Sequence, residues 1–123
     1  MPLVQGDIAS FCESAAKGEM RPDLLSFDEG WSVCLILASA GYPMSSRSSD
    51  IISGLEDVDG ARIYHAGTRC NESGEWETNG GRVLAVVAGG EERLTAVDAA
   101  YAELEKITFD GAQKRTDIGR YNF

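Results

Sequence analysis

Residues 78–84 read Thr78-Asn79-Gly80-Gly81-Arg82-Val83-Leu84. They follow Tyr64-His65-Ala66-Gly67-Thr68 and precede an alanine-rich amphipathic segment. Two extended segments, a glycine turn carrying one arginine and a helix are thus written in order. Glycine tolerates positive φ without steric cost, so Gly80 and Gly81 let the backbone turn tightly and pass close to another group. Arg82 is presented at that turn, and its planar fork of donors suits phosphate or carboxylate. The competing reading is an arginine that is solvated or paired with a surface carboxylate, as arginines at strand starts usually are.

Working outward, 123 residues are enough for one domain with its own core and no staples. The formal charge of −9 repels nucleic-acid backbones and anionic membrane surfaces, which argues against nucleic-acid and membrane partners. The longest apolar run, residues 33–38, is far too short to cross a bilayer. Cys12, Cys34 and Cys70 are odd in number, widely spaced and free of any CxxC, so neither a disulfide framework nor a zinc knuckle is indicated and a cytoplasmic setting is expected. Cys12 and Cys34 sit among apolar neighbours and read as small buried hydrophobes, and Cys70 lies near a hairpin tip. No catalytic residue and no metal site is assigned.

Asp7 is placed to cap a helix over residues 8–17, with Ile8, Phe11, Cys12, Ala15 and Ala16 at helical spacing and Gly18 as the stop. Residues 31–38 read as a buried strand. Residues 39–50, with Gly41, Pro43 and a run of serines, read as an exposed loop. Residues 61–66 and 78–88 are extended, joined across a turn at residues 71–74, and expected to pair antiparallel. Thr95 and Asp98 resemble a capping signal for a second helix to about Lys106, with Val97, Ala100, Tyr101 and Leu104 along one face. Ile107 and Phe109 begin a last extended piece. The whole is an α+β domain, a small antiparallel sheet with two flanking helices.

Several strings resemble, in order and register, the carboxy-terminal domain of phosphoribosylamine-glycine ligase, also called glycinamide ribonucleotide synthetase, a ligase of the ATP-grasp superfamily. They are residues 38–43 (ASAGYP), 51–55 (IISGL), 64–68 (YHAGT) and 78–84 (TNGGRVL), and the tail carries Ile107, Phe109, Gly111, Arg115, Asp117, Ile118 and Gly119 at the family's spacing. The resemblance implies a hybrid-motif-like domain of an enzyme of purine synthesis that joins glycine to 5-phosphoribosylamine through a glycyl phosphate made with ATP. The nucleotide loop and the magnesium ligands of that enzyme are not among these residues. The chain alone is therefore expected to be inactive, with no cofactor of its own, while ATP and magnesium serve the full-length enzyme. Residues 1–20 resemble the helix joining the ATP-grasp core, and residues 21–123 the carboxy-terminal domain. Missing N-terminal and ATP-grasp domains are the expected partners, so Met1 marks a truncated chain or a split gene. The alternative is a non-enzymatic structural or docking module of the same fold.

The resemblance also nominates site residues. An arginine of this hairpin contacts the substrate phosphate in related ligases, and Arg82 is in register with it. Gly80, Gly81, Asn79, Thr68, His65 and Tyr42 complete the expected substrate-binding set. Thr68 and Asn79 are short polar groups able to bond a ligand or neighbouring backbone equally well. His65 is the only histidine and a tempting general acid-base, but a lone strand histidine is more often a hydrogen-bonded structural residue. Residues 44–49 depart from the family's turn, lacking its aromatic and its lysine, with Arg47 a nearby positive charge. Arg115 and Asp117 are placed to pair with each other or with the missing domains.

Overall fold

The computed structural model describes residues 2–121 of the chain. Its first elements form a small unit of their own. Strand β1 (Val4–Gly6) pairs antiparallel with β2 (Leu25–Phe27), and between them lie helix α1 (Ile8–Ala16) and a 3-10 turn, Pro22–Leu24. Asp7 caps α1 as its position predicts. Its carboxylate accepts the Ser10 N–H at 2.9 Å and the Ser10 hydroxyl at 2.7 Å, and these bonds hold its pKa below the usual carboxylate range. Gly18 takes φ +77° just past the end, a conformation that costs other residues more. No residue of α1 is buried, and the helix packs against the 3-10 turn. Cys12 is accordingly exposed, contrary to its reading as a buried hydrophobe, because the apolar stripe of α1 has nothing laid across it.

The main sheet has three strands in the order β3 (Trp31–Ala38), β7 (Arg82–Gly90), β4 (Arg62–His65), all antiparallel neighbours. Leu35 lies opposite Val86, which lies opposite Ile63, and Val33 lies opposite Ala88. These side chains share the face covered by α2 (Arg93–Leu104), where Ala96, Val97, Ala100, Tyr101 and Leu104 close the core. Burying each such aliphatic side chain contributes roughly 1.5–3 kcal/mol. Ile107 and Phe109 join the same cluster, and Thr108 between them exchanges backbone hydrogen bonds with Ser53.

Strand alternation moves Cys34 to the other face. Val33, Leu35 and Leu37 are buried while Cys34 and Ile36 are exposed, so the expected burial of Cys34 does not hold. An unbroken apolar run does not reveal which parity faces the core, and here the pairing with β7 decides it. The amino end of α2 also differs from expectation. The helix starts at Arg93, with Glu92 as the N-cap and no side-chain cap bond, and Thr95 and Asp98 lie inside it. It ends at Leu104, and α1 ends at Ala16.

Residues 78–88 do not form one strand. β5 (Thr68–Cys70) and β6 (Trp76–Thr78) make a separate two-stranded ribbon around the turn at residues 71–75, and residues 79–81 break the chain before β7 begins. The antiparallel pairing expected of residues 61–66 with the later stretch is present as β4 on β7. Among the described residues no helix is long and apolar enough to cross a membrane.

Candidate functional site

The predicted residues gather where the ribbon meets the start of β7. Gly67 donates its N–H to the Arg82 carbonyl at 2.8 Å and accepts the Asn79 N–H at 2.8 Å. The backbone of residues 66–67 thus runs directly against residues 79–82. A Cβ on Gly67 would lie 2.8 Å from the Arg82 carbonyl oxygen and 2.9 Å from the Gly80 Cα. Gly80 has φ +152°, reached without strain only in the absence of a Cβ. Gly81 serves a different contact, since a Cβ there would lie 2.4 Å from Tyr42 Cδ2. The Tyr42 ring therefore rests on the open face of Gly81, and Ser39, fully buried, donates its N–H to the Gly81 carbonyl at 2.9 Å.

A register shift between Leu37 and Ala38 governs Arg82. Leu37 pairs with Leu84 but Ala38 pairs with Arg82, so Val83 is the extra residue of a β-bulge. Bulges re-aim side chains. Here Val83 is fully buried while Arg82, next to it, is exposed. The guanidinium takes no hydrogen bond or ion pair among the described residues. Other arginines do: Arg21 with Asp23, Arg69 with Glu77, Arg115 with Asp117 and Arg120 with Asp98. Arg47 is also committed, to Asp50 at 2.9 Å and to Asp110, and these carboxylates push its pKa up. The nearby positive charge noted in the serine loop is thus tied to the carboxy-terminal segment. Arg115 and Asp117 pair with each other, which raises the pKa of the first and lowers that of the second.

His65 stands apart from Arg82. It lies directly opposite Leu84, whereas Arg82 lies directly opposite Ala38, and no hydrogen bond or ring contact joins them. The imidazole Nδ1 shares a hydrogen bond of 3.0 Å with Thr68 Oγ1, and its ring meets that of Trp76 with centroids 4.3 Å apart. Thr68 is thereby engaged by a side chain, and Asn79 by backbone. Sequence reasoning missed Trp76, Gly67 and Ser39. The signal for Trp76 was the ribbon register, Thr68 opposite Thr78 and Cys70 opposite Trp76, which the expected longer strand concealed.

A three-stranded antiparallel sheet backed by one helix, with a glycine-turned hairpin carrying a bulge-mounted, exposed arginine at one end, defines an α+β domain. The chain belongs to the phosphoribosylglycinamide synthetase C-domain family, whose sequence model matches residues 32–121. It is 40% identical over 119 residues to a phosphoribosylamine–glycine ligase of Neisseria meningitidis, covering 96% of this chain and 28% of the relative. With the Escherichia coli K12 protein of the same name it shares 36% identity over 121 residues, 97% of this chain and again 28% of the relative. The crystal structure of phosphoribosylamine–glycine ligase from Thermotoga maritima superposes with a TM-score of 0.76 at 30% identity, over 89% of this chain and 27% of that one. The chain therefore spans less than a third of the length of the relatives it matches.

Proposed function

We propose that this chain is the carboxy-terminal domain of a cytoplasmic, ATP-dependent ligase that joins glycine to 5-phosphoribosylamine, and that its hairpin end closes the site over the ribosylamine. The observation that carries the reading is Arg82. In a chain of net charge −9, where Arg21, Arg47, Arg69, Arg115 and Arg120 pair with carboxylates, this guanidinium is exposed at a turn and, like that of Arg62, unclaimed among the described residues. A phosphate monoester is an anion that such a fork can hold through two parallel charge-assisted hydrogen bonds. The backbone of Gly80 allows close approach, with Asn79, Thr68 and Tyr42, whose ring rests on Gly81, as the surrounding wall, and His65 acts through its bond to Thr68.

The other parts of the reaction fall to the rest of the ligase. Among the described residues no group of His, Cys, Asp and Glu gathers to hold a metal ion. The described residues gather no carboxylate cluster for magnesium, and nucleotide and metal are assigned to the ATP-grasp and N-terminal domains of the ligase. Helix α1, within residues 1–20, is assigned to the segment that joins that core, and residues 21–123 to the carboxy-terminal domain, although the 3-10 turn and β2 at the start of that range pack with α1 and β1.

The test is Arg82→Ala in the full-length ligase carrying this domain. Losing a charge-assisted contact made to the substrate phosphate lowers kcat/KM for phosphoribosylamine by about 1.5–3 kcal/mol and leaves the KM for ATP unchanged. Lysine restores part of the loss, because it supplies the charge without the fork. An alanine variant equal to the parent toward both substrates would overturn the assignment.

A further inference from the structure

Beside Arg82 the wall of the candidate site is Tyr42, and packing alone holds its ring there. The ring rests on Gly81 and is 39% exposed, and its hydroxyl makes no hydrogen bond among the described residues. The turns around it are local. Tyr42 donates its N–H to the Ser39 carbonyl at 3.2 Å, and Ser45 donates to the Gly41 carbonyl at 3.0 Å. One side chain reaches out of the loop. Arg47 Nε donates to the Asp50 carboxylate at 2.9 Å, while Nη2 donates to the Asp110 carbonyl at 2.8 Å and to the Asp110 carboxylate. Among the described residues no other side chain of residues 40–48 makes a hydrogen bond or ion pair.

Both partners of Arg47 stand on fixed backbone. The Asp50 carbonyl accepts the Thr78 N–H at 2.9 Å, and the Asp50 N–H goes to the Thr78 hydroxyl at 3.1 Å. The chain at Asp110 is held through Gln113, by two backbone bonds of 2.8 Å to Ala38 and a side-chain bond of 2.7 Å to the Ser39 carbonyl. Gly111 packs against the loop, where a Cβ would lie 2.6 Å from that of Ala40, and Arg47 closes the loop with its N–H on the Ala40 carbonyl at 3.2 Å. A guanidinium serves two carboxylates from separate edges of one plane, which the compact point charge of a lysine does less well.

We propose that Arg47 is a positioning residue: by tying the loop to Asp50 and Asp110 it keeps the Tyr42 ring on Gly81, and with it the wall that the phosphoribosyl group meets beside Arg82. The proposal rests on the assignment of Arg82 to the substrate phosphate. Arg47 itself stays clear of the substrate, since its one charge already faces two carboxylates. A loop left to its own turns samples more conformations, and a wall that must be ordered again on binding weakens binding by that ordering. The loss falls on the KM for phosphoribosylamine, because the wall meets the bound substrate and the transition state alike.

Two measurements test it. In the purified chain, hydrogen exchange followed by NMR shows the Tyr42 and Ser45 amides opening faster in Arg47→Ala, while the amides of β3 and β7 keep the parent's rates. In the full-length ligase carrying this domain, Arg47→Ala raises the KM for phosphoribosylamine about fivefold, with kcat and the KM for ATP at the parent's values, and Arg47→Lys recovers part of the loss. Asp110→Asn raises the same KM, whereas a cation acting directly on the phosphate would bind better with a carboxylate removed. Circular dichroism establishes that each variant is folded, and if Arg47→Ala is not, Asp110→Asn carries the test. Loop amides that exchange at the parent's rate in Arg47→Ala overturn the clamp. A loosened loop with an unchanged KM for phosphoribosylamine overturns its link to the substrate, and so does an Asp110→Asn variant with a lowered KM. If the loop loosens but Arg82→Ala is without effect in the same ligase, it is the assignment of Arg82 that fails, and the positioning role falls with it.

Discussion

Replacing Gly67 by alanine probes the backbone crossing on which the candidate site is built. The new Cβ meets the Arg82 carbonyl oxygen at 2.8 Å and the Gly80 Cα at 2.9 Å, both main-chain atoms that cannot rotate away. Retreat of residue 67 breaks its bonds to Arg82 and Asn79. Overpacking of this kind costs about 1–3 kcal/mol, and a lost backbone bond adds about 0.5–1.5 kcal/mol. The expected loss is about 2–4 kcal/mol, or roughly 8–16 °C in melting temperature for a domain of this size. Gly74→Ala is the control, since its Cβ meets nothing within 4 Å and only the positive φ of +84° is penalised, at about 1–2 kcal/mol. Thermal melts of the two variants beside the parent decide the matter. If Gly67→Ala melts no lower than Gly74→Ala, the crossing is slacker than described and the placement of Arg82 does not depend on it.

All three thiols are exposed, so in dilute folded protein a thiol reagent modifies Cys12, Cys34 and Cys70 without denaturant, and mass spectrometry showing any of them protected until unfolding would contradict the strand parity or the open face of α1. The Glu103 carboxylate, bound by Lys106 at 2.8 Å and by the Asp59 N–H at 3.0 Å, has its pKa held down, so it stabilises the fold above about pH 4.5 and that contribution disappears as pH falls through the lowered folded value. In Glu103→Gln this part of the acid limb flattens, and a pH–stability profile superimposable on the parent's would show that the contact contributes nothing.

How much was legible varies with the kind of signal. Helix α1 was readable at both ends because Asp7 and Gly18 act locally, through a side-chain bond and a positive φ. The start of α2 was not, since Glu92 caps it without a side-chain bond and the helix is positioned by what Ala96, Val97 and Ala100 bury. β3 was recognisable as a strand, yet its inward face depended on register against β7, a partner about fifty residues away. Of the site, the glycines and Arg82 declared themselves by type and order. The bulge at Val83, which separates the exposed arginine from the buried valine, has no local sequence mark, and neither does the contact of Trp76 with His65.

Thr78, fully buried, gives its N–H to the Asp50 carbonyl at 2.9 Å and accepts the Asp50 N–H on its hydroxyl at 3.1 Å, and Ser39 is held by Gly81 at the loop's other end. The two ends of the stretch between them are thus clamped to the same short piece of chain, residues 78–81, whatever lies in the middle. An insert pinned in this way can exchange the residues between Tyr42 and Arg47 without disturbing the frame that those two side chains and the clamped ends hold. The serine-rich run here, with Met44 93% exposed at its apex, marks the place where a foreign peptide is most readily grafted.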